Sequence, residues 1–351
     1  MTFSNTLTIF AALAAFTTTS ALAGDPFHSE KAVLDECAPY WDSHRVDSHA
    51  PIGVMGEHTH EAGEIMTSYR YMFMNMAGMR DGTDSLTSEQ VFQRGFPVSP
   101  TKMSMEMHML GLMFAPTDSI TLMLMANLVS IEMDHVTRPG SPPRRLRGES
   151  FTTRTEDWGD TKLVALVKVQ DCRLQRIHLH FGVSAPTGEI DAEDPGPLPY
   201  PMQTGSGTWD LITGASWLRQ TLDGNWSYGA QALGTIRLDD NHRDYSLGDR
   251  VDATFWLTRV LSERLSISGR LGWTWNDDIE GADPRLNQRL VPTAVPDHFG
   301  RQRIDASLGI NWYAKSGHRL AVEAGVPLYE DISGPLLEND YWMMIGWQKA
   351  W

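Results

Sequence analysis

The sequence predicts an all-β protein: an antiparallel up-and-down transmembrane β-barrel of about twelve strands, preceded by an exported N-terminal extension. Three observations predict it. From residue 62 onward, segments of about ten residues alternate apolar and polar side chains. The connections between them alternate short and long, as in outer-membrane barrels with tight periplasmic turns and long outer loops. Of the 12 Trp, most lie beyond residue 208 and at segment ends, where such barrels carry aromatic girdles.

Residues 1–23 read as a signal peptide. An apolar stretch from Leu7 to Phe16 runs into Ala21-Leu22-Ala23, a small-residue cleavage pattern ahead of Gly24. An ordinary apolar first helix is the alternative, because no Lys or Arg precedes the stretch. Residues 24–61 are then expected as a periplasmic segment bearing His and Cys, and residues 62–351 as the barrel. The strand candidates are 64–76, 103–114, 119–133, 161–170, 174–184, 207–218, 225–238, 248–260, 263–276, 301–313, 317–327 and 341–351. In 263–276, Leu265, Ile267, Leu271, Trp273 and Trp275 share one face, and Arg264, Ser266, Ser268, Arg270 and Thr274 the other. A soluble sandwich or lipocalin-like barrel alternates too, with its apolar face inward. Trp209 and Trp217 share a face about 26 Å apart at about 3.3 Å per residue, close to the height of an apolar band between two girdles. That spacing, the even strand number and the terminal Trp351 favour the apolar face outward.

The charge balance excludes one class of partner. With 29 Lys+Arg against 44 Asp+Glu, the formal net charge is −15, which offers no basic face to nucleic acid. No apolar run reaches the roughly 18 residues of a spanning helix.

Several stretches resemble the outer-membrane barrels grouped as the MetA-pathway-of-phenol-degradation, transporter-like family. They are Pro51-Ile52-Gly53-Val54-Met55-Gly56-Glu57-His58, Ser68-Tyr69-Arg70-Tyr71-Met72, Phe114-Ala115-Pro116-Thr117-Asp118, Gly159-Asp160-Thr161-Lys162, Ser184-Ala185-Pro186-Thr187-Gly188 and Leu198 to Thr208. The resemblance spans roughly residues 50–351 and rests on the order and spacing of these pieces. It implies a barrel in the outer membrane of a Gram-negative bacterium that passes small molecules, with no catalytic motif to carry over. The final alternating strand ending in Trp351 also looks like the signal read by the barrel insertion machinery. The expected surroundings are outer-membrane lipid and lipopolysaccharide. The loop bearing Arg138, Arg144, Arg145 and Arg147 is either a contact for the latter or a solvated loop.

In such a barrel the ionic face lines the lumen. Arg70 is costly in lipid, by about 2–4 kcal/mol at mid-bilayer, while Tyr69, Tyr71 and Phe73 are at home there. Met66, Arg70, Met72, Met74 and Met76 are therefore expected to point inward. If residues 115–118 close the next hairpin, 108 opposes 125 and 106 opposes 127. Glu106, His108, Met123, Met125 and Asn127 then line the lumen, and Met103, Met105, Met107, Met109 and Met113 meet lipid. Arg176, His178, His180, Arg270, Asp305 and Glu323 complete the expected lining.

Fourteen of the 18 Met fall between Met55 and Met133. Thioethers with imidazoles form a soft ligand set suited to Cu(I), and Met72, Met74, Met76, His108, Met123, Met125, His58 and His60 are the candidate ligands. Methionine is equally a flexible apolar filler that suits a lumen for small apolar or aromatic compounds. No cofactor is required by either reading. The only two cysteines, Cys37 and Cys172, fall on the periplasmic side by this topology, where a disulfide is permitted; two free thiols are the alternative.

The expected function is a non-enzymatic channel or transporter for small molecules, with copper handling as one version and passive passage of apolar compounds as the other. A structural barrel, or a lipid-modifying enzyme in the same scaffold, is the reading from another class. For the enzyme, Ser68 with His108 and Ser307 with His318 are the conceivable nucleophile–base pairs, without a recognisable triad.

Overall fold

The structure, a computed structural model, describes residues 45–140, 149–172, 174–314 and 316–351. The segment expected as a signal peptide, Cys37 and the arginines at 144, 145 and 147 lie outside the described residues. The chain begins its ring with β1 (Ile65–Gly82). It continues through β2 (Asp84–Leu86), the short helix α1 (Ser88–Gln93), β3 (Val98–Thr117), β4 (Ile120–Thr137), β5 (Ser150–Trp158), β6 (Thr161–Asp171), β7 (Gln175–Ala185) and β8 (Asp210–Gln220). Then follow β9 (Trp226–Arg237), β10 (Tyr245–Ser246), β11 (Arg250–Ser262), β12 (Leu265–Asn276), β13 (Glu280–Gly281), β14 (Arg301–Tyr313) and β15 (His318–Ala350).

Eleven of these strands close an antiparallel ring, sequential neighbours pairing around it and β15 pairing back to β1. β2 hangs on the end of β1, and β5 pairs only with β4. The last strand serves twice. Its residues Arg319–Ile332 pair with β14, while Ile332–Ala350 pair with β1, both antiparallel. The chain therefore reverses near Ile332, and its two legs stand side by side through Arg319–Gln348, His318–Trp347 and Glu330–Asn339 contacts. Counted as legs, the two last sequence candidates, 317–327 and 341–351, are both present.

The ring is apolar outside and ionic inside. Leu308 is 76% exposed and Leu110 53%, whereas Arg319 is 3% and Glu323 1% exposed. A barrel folded for water would show the reverse. Lipid explains the sorting, because a charge on the outer belt costs about 2–4 kcal/mol at mid-bilayer while leucine there costs nothing. Inside, many of the charges are paired: Arg270 with Glu323 at 2.7 Å, Arg303 with Asp305 at 2.9 Å, Arg250 with Asp252 at 2.7 Å, Arg176 with Asp171 at 2.9 Å, and Arg237 with Asp210.

The segment expected ahead of the barrel has a definite place. The described part of the segment assigned to the periplasm, residues 45–61, stands inside the ring at the end that carries the short turns. Val46, Ala50, Ile52 and Val54 are each at most 4% exposed there. Burial of these side chains and the wall's many hydrogen bonds to this backbone hold it in the lumen rather than beneath it. At the other end the long connections fold over the ring. Tyr200, Tyr245 and Ile279 form one buried cluster with Phe299 against it, and Val98, Val291 and Ala294 another.

Candidate functional site

The lumen is the candidate site, and the inserted segment defines it. Successive wall strands bond the segment as it crosses. Asp47 accepts from Gln220 at 2.8 Å, and its carbonyl from Ser227 at 3.1 Å. Ser266 donates to the Val46 carbonyl at 3.2 Å and Arg319 to that of Ala50 at 2.5 Å. The Gly53 N–H donates to Glu323 at 2.7 Å, and Gln231 donates to the Met55 carbonyl at 2.9 Å. His178 bonds the Gly56 carbonyl at 2.7 Å, and the His60 N–H donates to Thr121 at 2.9 Å. These polar wall residues sit at alternate positions, so strand periodicity aims them all inward.

Two close approaches show how tightly the segment is seated. Gly56 has φ +65°, and a Cβ on it would come 3.1 Å from His180. On the wall, a Cβ on Gly346 would meet the Ile52 side chain at 2.6 Å, so only glycine leaves room for Ile52.

The segment carries a buried cluster of titratable groups. Glu57 Oε1 is 3.3 Å from His49 Nδ1 and 3.1 Å from His58 Nδ1, and Arg319 Nη1 stands 3.6 Å from the same oxygen. The His49 and His58 rings meet edge-on at 4.4 Å, and His58 and His60 at 4.8 Å. His60 Nδ1 lies 3.1 Å from Glu64. Of this cluster the sequence points to the segment's histidines, His58 and His60 foremost, but not to Glu57. The missed signal was Glu57 beside His58 in the chain, which becomes a site only when the segment folds back on His49.

The methionines divide into three interior groups. Met66, Met113 and Met123 pack with Leu166 and Ile212, with Met125 alongside. They border a cavity of about 10 Å³ that also touches Glu57, Ser68 and Arg70, room for about one water. Met72, Met74, Met107 and Met109 pack with Ile52, Trp342 and Met344. Met76, Met79, Met103, Met105 and Met133 form a third group below the outer loops. The candidate copper ligands are thus split between regions.

The register expected for the β3–β4 hairpin is corrected. Position 125 opposes Gly111, 123 opposes Met113, and Asn127 opposes Met109. The turn is only Asp118-Ser119 between the paired Thr117 and Ile120, with an irregularity between Phe114 and Thr117. That odd shift reverses every side chain of β3. Its odd-numbered methionines face the lumen, not lipid, while Glu106 and His108 stand on the outer wall. There Tyr71 donates to Glu106 at 3.0 Å, and Tyr69 OH lies 2.8 Å from His108 Nδ1. Met123, Met125 and Asn127 on β4 face inward. His108 is therefore separated by the wall from Ser68 and from every methionine named with it. Ser307 bonds Glu323 inside at 2.6 Å while His318 bonds Trp347, so neither conceivable catalytic pair comes together.

Of the other lining candidates, His178 and His180 are 3% and 1% exposed, their rings 4.9 Å apart, and His180 bonds Ser216 at 2.8 Å. Arg70 is buried beside Glu57, while Arg176, Arg270, Asp305 and Glu323 take part in the inner ion pairs. Cys172 is buried in the β6–β7 turn and accepts from Gln170 at 3.4 Å. Its expected partner Cys37 lies outside the described residues.

The outer loops carry their own charge network. Arg243 donates to Asp191 at 2.6 Å, Arg285 lies 3.1 Å from it, and His242 is 3.1 Å away. The Arg243 hydrogen bond, with His242 and the arginine charges adding to it, holds the Asp191 carboxyl at about 2, against burial. Beneath it burial raises the Tyr245 hydroxyl well above its ordinary value. Burial likewise lowers His298, against a hydrogen bond to the Pro292 carbonyl.

No family model matches the chain, and no curated protein does. Among solved structures, an outer membrane channel from Pseudomonas putida F1 aligns with a TM-score of 0.59 at 15% identity, covering 86% of this chain and 100% of that one. The transport unit of the autotransporter AIDA-I from Escherichia coli aligns at 0.45 with 7% identity, over 85% and 93% of the two chains. The beta domain of the Bordetella autotransporter BrkA aligns at 0.43 with 11% identity, over 82% and 100%. The latter two are too distant to carry an argument. The likeness to the Pseudomonas putida channel, together with the apolar belt and the closed ring, shows the fold to be that of an outer-membrane β-barrel.

Proposed function

We propose that the chain is an outer-membrane channel for small apolar molecules, shut in this conformation by its own residues 45–60. The observation that carries the reading is a closed ring, greasy outside and ionic inside, whose lumen is threaded by a segment of the same chain. The insert is held by hydrogen bonds to wall side chains, which water can replace when it leaves.

The apolar class of cargo follows from the lining. Met72, Met74, Met107, Met109, Trp342 and Met344 offer polarizable, adaptable surface once Ile52 withdraws. These thioethers pack against apolar side chains rather than around a common centre, which favours the filler role over Cu(I) passage. Lipid and lipopolysaccharide would surround the belt. The terminal Trp351, paired to Ile65 through its backbone at 2.8 Å, would present the insertion signal.

Conductance in planar bilayers tests the reading. The full chain is expected to be nearly closed, and a chain lacking residues 24–61 to conduct steadily. A deletion that folds but stays silent would sink the proposal. Titrating Cu(I) against wild type and a Met72/Met74/Met76→Leu variant separates the copper version; equal affinities are expected.

A further inference from the structure

We infer that His49, Glu57 and His58 form a binding site for one divalent transition-metal ion, Zn²⁺ or Cu²⁺, inside the inserted segment. The three residues each present one ligand atom, all within 4.8 Å of one another, and all three side chains are buried. Two imidazoles and a carboxylate suit ions of this borderline class, rather than the Cu(I) that thioethers would take.

Two of the three ligand separations also match a metal's geometry. Ligands about 2.0–2.1 Å from a tetrahedral centre stand about 3.3 Å apart along its edges. The Glu57 oxygen lies 3.3 Å from His49 Nδ1 and 3.1 Å from His58 Nδ1. Yet the other nitrogen of His58, Nε2, and the other oxygen of Glu57, Oε2, are buried without a hydrogen-bond partner. Buried polar atoms left this way need an explanation, and an unoccupied coordination position is one. No other group of three or more His, Cys, Asp or Glu among the described residues meets the same distances.

Arg319 opposes the ion. Its Nη1 stands 3.6 Å from Glu57, so the cation and the guanidinium share one carboxylate. The site is accordingly weaker than a closed structural zinc site, and the ion exchanges. Its effect is to tie His49 to the Glu57-His58 pair and so fix the turn of the segment between them. That consequence rests on the reading of the segment as the channel's closure; the binding itself does not.

The test uses the full chain, folded in detergent and stripped with a chelator, with Zn²⁺ and Cu²⁺ as probes. One ion per chain is expected by elemental analysis, and the Cu²⁺ electron paramagnetic resonance signal is expected to show coupling to two imidazole nitrogens. His49→Ala and His58→Ala should each weaken binding more than about tenfold. His108→Ala, on the outer wall, should leave it unchanged. Equal binding by wild type and the His49/His58 double variant overturns the proposal. If a variant fails to fold, wild type alone decides: bound Cu²⁺ without imidazole coupling, or no bound ion, overturns it equally. Binding that survives in a barrel that never conducts would reject the channel reading while leaving the site in place.

Discussion

The two ends of the barrel are closed by different physics. At the short-turn end the closure is an inserted segment held by directional bonds from the wall: Gln220, Ser227, Gln231, Ser266, His178 and Arg319 each reach one of its polar groups. At the long-loop end the closure is a packed core, with Tyr200, Tyr245, Ile279 and Phe299 in contact and each loop tethered at both ends. Hydrogen bonds to a departing segment are exchanged for bonds to water at small net cost, about 0.5–1.5 kcal/mol each. Buried aromatics exposed by a departing loop lose their full transfer free energy. The inserted segment buries Val46, Ala50, Ile52 and Val54 as well, so the contrast is one of proportion, and on the channel reading the more polar closure is the part expected to move.

The largest expected effect comes from removing the segment's strongest anchor. Arg319 bonds the Ala50 carbonyl, Asn311 at 2.7 Å and Gln348, and faces Glu57. Arg319→Met leaves Glu57 buried beside fewer cations, a change of about 3–5 kcal/mol. The segment should then be cut by added protease within its 45–60 stretch, and the channel should open. A segment still protected in a folded Arg319→Met barrel would show that the polar wall does not hold it.

A steric variant asks the same question without touching a charge. Any side chain at Gly346 must displace Ile52, and overpacking of this kind costs about 1–3 kcal/mol. Gly346→Leu is expected to raise the frequency of open events in bilayer recordings while the ring stays intact by heat-modified gel mobility. At the opposite end, Tyr200→Phe removes one hydroxyl that accepts from the Asp283 N–H at 3.0 Å. A loss of about 1 kcal/mol and no new conductance are expected there. Matching conductance changes from the two variants would erase the contrast between the ends.

How much of this the sequence disclosed follows from where period-two patterning operates. Lipid on one side forces strict alternation, so the faces of β1, β4, β7, β12, β14 and β15 were legible residue by residue. β3 was not, because its face depends on a two-residue turn and one irregularity beside it, and both faces of that strand carry residues tolerable in either place: methionines on one, Leu110, Leu112 and Phe114 on the other. No lipid-facing pattern governs residues 45–60 at all. Their partners lie on six different strands, which no local pattern within the segment specifies. The buried triad suffered the same way, since His49 and Glu57 are eight residues apart and meet only through the turn of the inserted segment.

The packing of the lumen between the two ends should be tolerant. Met72→Leu with Met74→Leu keeps volume and polarity nearly constant, and each such exchange costs less than about 1.5 kcal/mol. The double variant should unfold in denaturant close to wild type and keep its closed state. A marked loss would mean that the thioethers, not merely their bulk, matter to the lumen.

The smallest effect belongs to the outer surface of the loop cap. Asp191 is held at about 2, first by the Arg243 hydrogen bond, so its carboxyl is more acidic folded than its ordinary value of 3.8. A depressed carboxyl stabilises the fold above its unfolded value and loses that contribution as pH falls toward its folded value. The cap should therefore loosen slightly between about pH 4 and pH 2, as Asp191 takes up a proton and releases Arg243 and Arg285. Its side chain is 36% exposed, so solvent screens the pairs and the change is modest. Asp191→Asn should flatten that acid step in hydrogen exchange of the 238–249 loop while leaving the inserted segment's exchange untouched. An equal acid response in the inserted segment would mean that the two closures are coupled through the wall, and that the fixed end and the movable end are one unit.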